Sequence, residues 1–180
     1  MGAELAHLLR PINLLAIALI QISCFYIGGS GSRISFLTFI LLPTLLSATA
    51  GYIINNYFDV RKDAVNNKPA IQTKRLPLIY IILNLVALAL AFIDNIQLFG
   101  VVLGVQVLLF LYNYKLSNWP LIGNVLVALL GCMVVVVMYF SNYVSLSITH
   151  IWVFIISIFL VSVAREIIKD ITDIEGDKAS

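Results

Sequence analysis

Six long apolar runs constrain the fold of this chain more than any other feature of its sequence. They cover residues 11–30, 35–54, 77–93, 96–112, 121–140 and 148–164. Each run is close to the roughly 17–25 residues that a helix needs to cross the hydrocarbon core of a bilayer. Only 11% of the residues are charged, whereas soluble domains carry about 25%. The sequence therefore predicts an all-α integral membrane protein, a bundle of six transmembrane helices.

The polar segments between these runs are short. The longest extends from about residue 55 to residue 76, which leaves no room for a soluble domain, so we expect one transmembrane domain over residues 1–180. Only Asp94 and Asn95 separate the third run from the fourth, which predicts a tight helical hairpin. The first run lacks a small-x-small cleavage pattern, so we interpret it as a retained helix and not as a signal peptide.

The basic residues fall almost entirely on one side of this predicted topology. If the N-terminus is cytoplasmic, Arg33 is the single basic residue outside, and the other ten of the eleven Lys and Arg are inside. Cytoplasmic loops of membrane proteins carry such an excess. The pattern predicts a cytoplasmic N-terminus, and because topology explains the net charge of +2, we expect no nucleic-acid partner.

Two ladders of polar side chains follow the second and sixth runs, on the same predicted side of the membrane. In "NNYFDVRKD", Asn55, Asp59 and Asp63 stand at i, i+4 and i+8, so on a helix they drift by only about 40° per step. In "REIIKDITDIEGD", the acids 166, 170, 173 and 177 stand at i, i+4, i+7 and i+11. Each ladder therefore forms one stripe on a helix.

Stacked carboxylates repel each other and need a cationic partner. Interleaved basic residues are one candidate, and divalent cations are the other, because Mg²⁺ binds carboxylate and amide oxygens together with substrate phosphates. His7 and His150 lie on opposite predicted sides, so any metal must be held by oxygen. The ladders could also simply solvate helix ends. Two of them on one face favour a magnesium site for a diphosphate, whose charge such ions neutralise as its carbon–oxygen bond breaks.

Several other polar residues have two open interpretations. Arg10 could contact phosphate or extend to the lipid headgroups, and Tyr52 could anchor the helix at the membrane interface or line the site. We expect Asn84 and Gln106, both inside apolar runs, to form interhelical hydrogen bonds. Asn124, near the start of the fifth run, is a candidate for the interior of the bundle.

The two ladders resemble the N-x-x-x-D-x-x-x-D and D-x-x-x-D motifs of the UbiA superfamily of intramembrane prenyltransferases. "RPINLL", "NKP" and "YNYKLSNWPLIGN" are also similar to that family, so the resemblance covers almost the whole chain. It implies a helical bundle in which two cytoplasmic Asp-rich loops face a central cavity. It also implies Mg²⁺-dependent transfer of a polyprenyl group from its diphosphate to a membrane acceptor.

The resemblance assigns roles to individual residues. Two Mg²⁺ ions are implied, the first held by Asn55, Asp59 and Asp63, and the second by Asp173 and Asp177 with Asp170 as an auxiliary ligand. Asp59, Asp63, Asp173 and Asp177 are thus the implied catalytic residues. The candidates for substrate binding are Lys68, Lys74, Arg75, Arg165, Lys169 and Asn124, although all the basic ones could instead serve topology or charge balance.

The acceptor and the completeness of the site are less constrained. The second ladder looks most similar to enzymes that prenylate geranylgeranylglyceryl phosphate in ether-lipid synthesis, and very similar runs occur in relatives that prenylate homogentisate. An aromatic acceptor of the homogentisate or 4-hydroxybenzoate type is therefore the alternative. Members of the family usually have about nine transmembrane helices, so we expect a truncated bundle, which could be inactive alone. A transporter or assembly protein is the non-enzyme alternative. It predicts acids inside the spans, and Asp94 is the single acid away from the predicted inner face.

Overall fold

The computed structural model describes residues 8–65, 75–141, 143–145 and 147–177, without the side chains of residues 61–65, 118, 120, 121 and 169–177. We number its helices in chain order. They are α1 Pro11–Gly28, α2 Arg33–Phe36, α3 Leu42–Val65, α4 Leu76–Asp94, α5 Ile96–Tyr114, α6 Pro120–Tyr139 and α7 Ile148–Asp177. A π-helical turn, Leu37–Leu41, joins α2 to α3, and a 3-10 turn, Leu116–Asn118, precedes α6.

Six helical stretches within the described part of the chain are long and apolar enough to cross a membrane. The second stretch, Arg33–Val60, is continuous through α2, the π-helical turn and most of α3. The predicted all-α fold with six spans is confirmed. Two helices run well past their predicted apolar ends, to Val65 in α3 and to Asp177 in α7. Both polar ladders therefore lie on the helices themselves and not in loops.

The predicted hairpin between the third and fourth spans is confirmed, and its turn shows why two residues suffice. The Asn95 backbone N–H donates to the Ala91 carbonyl at 3.1 Å, which ends α4. The Asn95 side-chain oxygen accepts from the Leu98 N–H at 2.7 Å, which begins α5. One residue thus caps both helices, the role in which asparagine is favoured.

The spans alternate in direction, so the bundle has two chemically different ends. The hairpin end, named for the turn at Asp94 and Asn95, also contains the link between α6 and α7. There the Asn95 amide donates to the Phe140 carbonyl at 3.2 Å, and the Ser30 N–H donates to the Tyr143 carbonyl at 3.1 Å. The opposite end, which we call the polar end, contains the start of α1 and the ends of α3, α5 and α7.

Apolar packing is concentrated toward the hairpin end. Fully buried side chains there include Cys24 of α1, Leu98 of α5 and Met138 of α6. A smaller cluster of Leu8, Ile53 and Leu76 lies toward the polar end. Among the described helices, α3 packs on α4 and α5, while α7 packs chiefly on α6.

Buried amides join helices between these clusters. The Gln106 amide nitrogen of α5 donates to the Ser47 hydroxyl of α3 at 3.1 Å and to the Asn84 carbonyl of α4 at 3.2 Å. The predicted interhelical bonding of Gln106 is therefore confirmed. For Asn84 it is wrong as far as the side-chain nitrogen is concerned, because that nitrogen donates to the Tyr80 carbonyl of its own helix at 3.0 Å. The carbonyl four residues earlier on the same helix is within reach of a short polar side chain, whichever helices pack beside it.

Candidate functional site

The first polar ladder begins where α3 leaves the apolar part of the bundle. The Asn55 side-chain nitrogen donates to a carboxylate oxygen of Asp59 at 2.7 Å. Residues four apart on a helix lie on the same face, so the contact confirms that these two members of the ladder share a stripe. Both side chains are partly buried at the polar end.

Arg10 reaches this pair from the start of α1. One of its guanidinium nitrogens donates to the side-chain oxygen of Asn55 at 2.7 Å. Its guanidinium carbon lies 5.3 Å from the centre of the Tyr52 ring, one turn earlier on α3, within the range of a cation–π contact. Arg10 therefore forms a cluster with Asn55 and Tyr52, and its contact with phosphate remains a prediction.

Tyr52, one turn before Asn55, has polar neighbours on two other helices. Its hydroxyl is hydrogen-bonded to Asn13 of α1, and the charged groups of both Arg10 and Arg165 are close enough to act on it electrostatically. Arg165 lies in α7, next to Glu166, whose side chain is only 5% exposed. The start of α1 and the polar end of α3 thus meet at Tyr52, within electrostatic range of Arg165 on α7.

The remaining predicted site residues fall into two groups. The structure describes the backbone but not the side chains of Asp63, Lys169, Asp170, Asp173 and Asp177, and Lys68 and Lys74 lie outside the described residues altogether. That the two ladders face each other across a cavity consequently remains a prediction. Arg75 is exposed at the start of α4, and Asn124 is partly buried in the first turns of α6. Their roles also remain predictions.

The described donors suit a hard cation such as Mg²⁺. They are an amide and a carboxylate, and the amide nitrogen donates to the carboxylate at 2.7 Å, so the atoms able to bind a cation are the amide oxygen and the carboxylate oxygens. The described residues contain no group of three or more His, Cys, Asp or Glu side chains that could bind a metal. Asn55 and Asp59 could therefore begin a metal site, which further ligands must complete.

The sequence alone does not predict the contacts around the first ladder. No pattern distinguishes Asn13 from the rest of the first apolar run, and Glu166 is recognisable only as part of the second ladder. Arg10 is predicted to contact phosphate or lipid headgroups, and not Asn55. The sequence contains one weak indication that Arg10 is unusual. Arg10 directly precedes Pro11, the first residue of α1, and the backbone conformation of a residue before proline is restricted.

Comparison with known proteins agrees with this arrangement. The model of the UbiA prenyltransferase family matches residues 14–180. The chain belongs to the UbiA prenyltransferase family. This membership is consistent with an integral membrane protein, since six described helices can span a bilayer.

Among curated members of the UbiA family, several digeranylgeranylglyceryl phosphate synthases are similar to this chain. The protein from Thermococcus sibiricus is 38% identical over 187 residues, covering 96% of this chain and 63% of the relative. The protein from Pyrococcus abyssi is 35% identical over 181 residues, covering 95% and 63%. The chain thus spans a little under two thirds of the length of these relatives.

Two solved structures share the UbiA fold with this chain. One, from work on digeranylgeranylglyceryl phosphate synthase in membranes, has a TM-score of 0.76 and 22% identity, and the match covers 99% of this chain and 66% of that one. The other is a UbiA homologue from Archaeoglobus fulgidus bound to DMAPP and Mg²⁺, with a TM-score of 0.75 and 20% identity, covering 97% and 65%. At these identities the likeness concerns the fold.

Proposed function

We propose that this chain transfers a polyprenyl group, best assigned as geranylgeranyl, from its diphosphate to geranylgeranylglyceryl phosphate, an Mg²⁺-dependent step of ether-lipid synthesis. The observation that carries the proposal is the hydrogen-bonded pair Asn55 and Asp59, with the cation Arg10 beside it. The 38% identity to a digeranylgeranylglyceryl phosphate synthase supports the choice of acceptor. We also propose that residues 1–180 form one transmembrane prenyltransferase domain, with its N-terminus and ladders cytoplasmic.

The metal ligands are proposed from both ladders. Asn55, Asp59 and Asp63 would hold one Mg²⁺, and Asp173 and Asp177 a second, with Asp170 as an auxiliary ligand. When bound, these ions would neutralise the negative charge that grows on the diphosphate as it leaves. The Mg²⁺ bound to the homologue from Archaeoglobus fulgidus supports the choice of metal.

Basic side chains are proposed to orient the diphosphate by charge-assisted hydrogen bonds. These residues are Lys68, Lys74, Arg75, Arg165 and Lys169. Arg165 has the best support, because its charge acts on Tyr52, one turn before Asn55. Asn124 is proposed to face the cavity, where its amide would help to position the acceptor.

The bond changes in the proposed reaction are simple. The carbon–oxygen bond between the prenyl group and its diphosphate breaks, and the electron pair leaves with the diphosphate. The hydroxyl oxygen of the acceptor forms an ether bond to the same carbon and loses its proton. The exposed apolar surfaces of the spans let the prenyl chain remain in a lipid-like environment while its diphosphate lies at the polar end.

A transfer assay tests this proposal. The purified chain in lipid–detergent micelles is incubated with labelled geranylgeranyl diphosphate, Mg²⁺ and one acceptor at a time: geranylgeranylglyceryl phosphate, homogentisate or 4-hydroxybenzoate. The relative from Thermococcus sibiricus is the positive control. We expect an ether product from the first acceptor only, and none after EDTA treatment.

Matched variants assign the activity to the first ladder. Asp59→Asn removes a proposed metal ligand and should lower the transfer rate by about 10²-fold or more, the usual effect of losing a group that stabilises transition-state charge. Asp94→Asn makes the same change at the hairpin end and should leave the rate within about twofold of wild type. Transfer to an aromatic acceptor would overturn the proposed acceptor. An absence of transfer to all acceptors, or an unaffected Asp59→Asn variant, would contradict the proposed reaction.

A further inference from the structure

We propose that Arg10 is a displaceable counter-ion of the first ladder. Its guanidinium donates to the side-chain oxygen of Asn55, and a cation that binds this oxygen must displace the guanidinium. The inference rests on the proposed function, which makes Asn55 a metal ligand. It adds a competition between an arginine of α1 and the metal for one ligand atom.

Both polar atoms of the Asn55 amide are already used in the structure. The oxygen accepts from Arg10 at 2.7 Å, and the nitrogen donates to Asp59 at 2.7 Å. An amide has one oxygen and its nitrogen cannot bind a cation. A metal ion and a guanidinium would also repel each other at such a short distance. Binding of a metal by Asn55 and Asp59 together therefore requires the amide to turn and the guanidinium to leave.

The backbone of Arg10 indicates that these contacts hold it in an unfavourable conformation. Among the described residues other than glycine, Arg10 alone has a positive φ, 47° with ψ at 60°. This left-handed conformation is uncommon for a side chain of its size, and Pro11 restricts the preceding residue to extended conformations. Such strain persists where surrounding contacts fix the residue. Here the side-chain contacts are the hydrogen bond to Asn55 and the position over the Tyr52 ring, and the Arg10 carbonyl also accepts from the Asn13 and Leu14 N–H groups. The guanidinium contacts are therefore one part of what holds the Arg10 backbone in place.

Two other arginines provide matched controls. The guanidinium carbon of Arg33 lies 6.0 Å from the centre of the Tyr26 ring, at the hairpin end, so it reproduces the ring contact away from the ladder. Arg165 acts electrostatically on Tyr52, so it reproduces a positive charge near the site. A charge effect alone should appear at both Arg10 and Arg165, whereas direct competition for Asn55 should be strongest at Arg10.

Binding of Mn²⁺ provides a readout that does not depend on activity. Mn²⁺ prefers the same oxygen ligands as Mg²⁺, and its free concentration can be measured by electron paramagnetic resonance. Mn²⁺ is titrated into the purified full chain without any diphosphate, for the wild type and for Arg10→Gln, Arg10→Ala, Arg33→Gln, Arg165→Gln and Asp59→Asn. Circular dichroism confirms that each variant is helical.

We expect both Arg10 variants to bind Mn²⁺ about two- to fivefold more tightly than the wild type, the range expected for loss of one exposed charged competitor. Arg33→Gln should match the wild type, Arg165→Gln should tighten binding less than the Arg10 variants, and Asp59→Asn should weaken it. If the Arg10 variants bind Mn²⁺ like the wild type, or if Arg165→Gln tightens binding equally, Arg10 does not compete with the cation for Asn55. Either result would leave the proposed metal site itself intact. If Asp59→Asn leaves Mn²⁺ binding unchanged, the proposed metal site itself is wrong.

Discussion

Replacing Gln106 with leucine should weaken the bundle by removing the polar link between three helices. The side chain is 6% exposed, and its nitrogen donates to Ser47 of α3 and to the Asn84 carbonyl of α4. Interhelical side-chain hydrogen bonds in membrane proteins contribute about 0.6 kcal/mol on average and about 1.7 kcal/mol at most. Two such bonds predict a loss of roughly 1–2 kcal/mol of unfolding free energy. The loss should lie in the lower part of this range if the Ser47 hydroxyl, deprived of Gln106 in the variant, donates to a carbonyl of its own helix instead.

Gln97 offers a control on the same helix. Its side chain is exposed near the hairpin end, so Gln97→Leu makes the same chemical change without removing a buried link. Both variants are unfolded reversibly in mixed detergent micelles, and helicity is followed by circular dichroism. We expect Gln97→Leu to be neutral or stabilising in this apolar environment. Equal unfolding free energies for Gln106→Leu and the wild type would refute the importance of the link, as would equal losses in both glutamine variants.

Three further predictions concern packing, pH and metal. A β-carbon at Gly51 would lie 3.1 Å from Leu109, so Gly51→Val should lose about 1–3 kcal/mol of unfolding free energy. Gly100 lies in open space, so Gly100→Ala should not destabilise the bundle. Equal losses in the two variants would contradict the close contact at Gly51. Burial, and to a smaller extent Asp94, raises the pKa of the Tyr143 phenol above 10.0. The stability that the neutral phenol contributes should therefore be present below about pH 10 and lost at higher pH. Tyr143→Phe should accordingly show a smaller alkaline decrease in melting temperature than the wild type. EDTA should abolish prenyl transfer and excess Mg²⁺ should restore it; transfer that survives EDTA would exclude the proposed metal role.

Hydrophobicity and helical period predicted the parts of the structure that depend on local sequence. The six spans follow from the lengths of the apolar runs, because each run must satisfy its backbone hydrogen bonds within the membrane. The shared face of Asn55 and Asp59 follows from the helical repeat, and their contact at 2.7 Å confirms it. The Asn95 turn follows from the absence of any longer connection between two spans.

Contacts between helices could not be predicted in the same way. The approach of Arg10 to Asn55 depends on how α1 crosses α3 and on a left-handed backbone at Arg10, and neither is encoded by a local pattern. The different partners of Asn84 and Gln106 show the same limit. Both are amides in apolar runs, but only the Gln106 nitrogen faces a neighbouring helix closely enough to bond with it.

The four-residue spacing along α3 explains how one helix can serve both packing and chemistry. Ser47 and Gly51 contact α5, through Gln106 and through Leu109 and Asn113. Asn55 is next in this series, yet it contacts Arg10 at the start of α1. Four residues exceed one helical turn by about 40°, so the stripe has rotated by about 80° between Ser47 and Asn55. The contacts with α5 therefore fix the orientation in which α3 presents its ladder to α1. A substitution that shifts Gly51 away from Leu109 should consequently disturb the contact between Arg10 and Asn55, about one turn further along α3, without changing any proposed metal ligand.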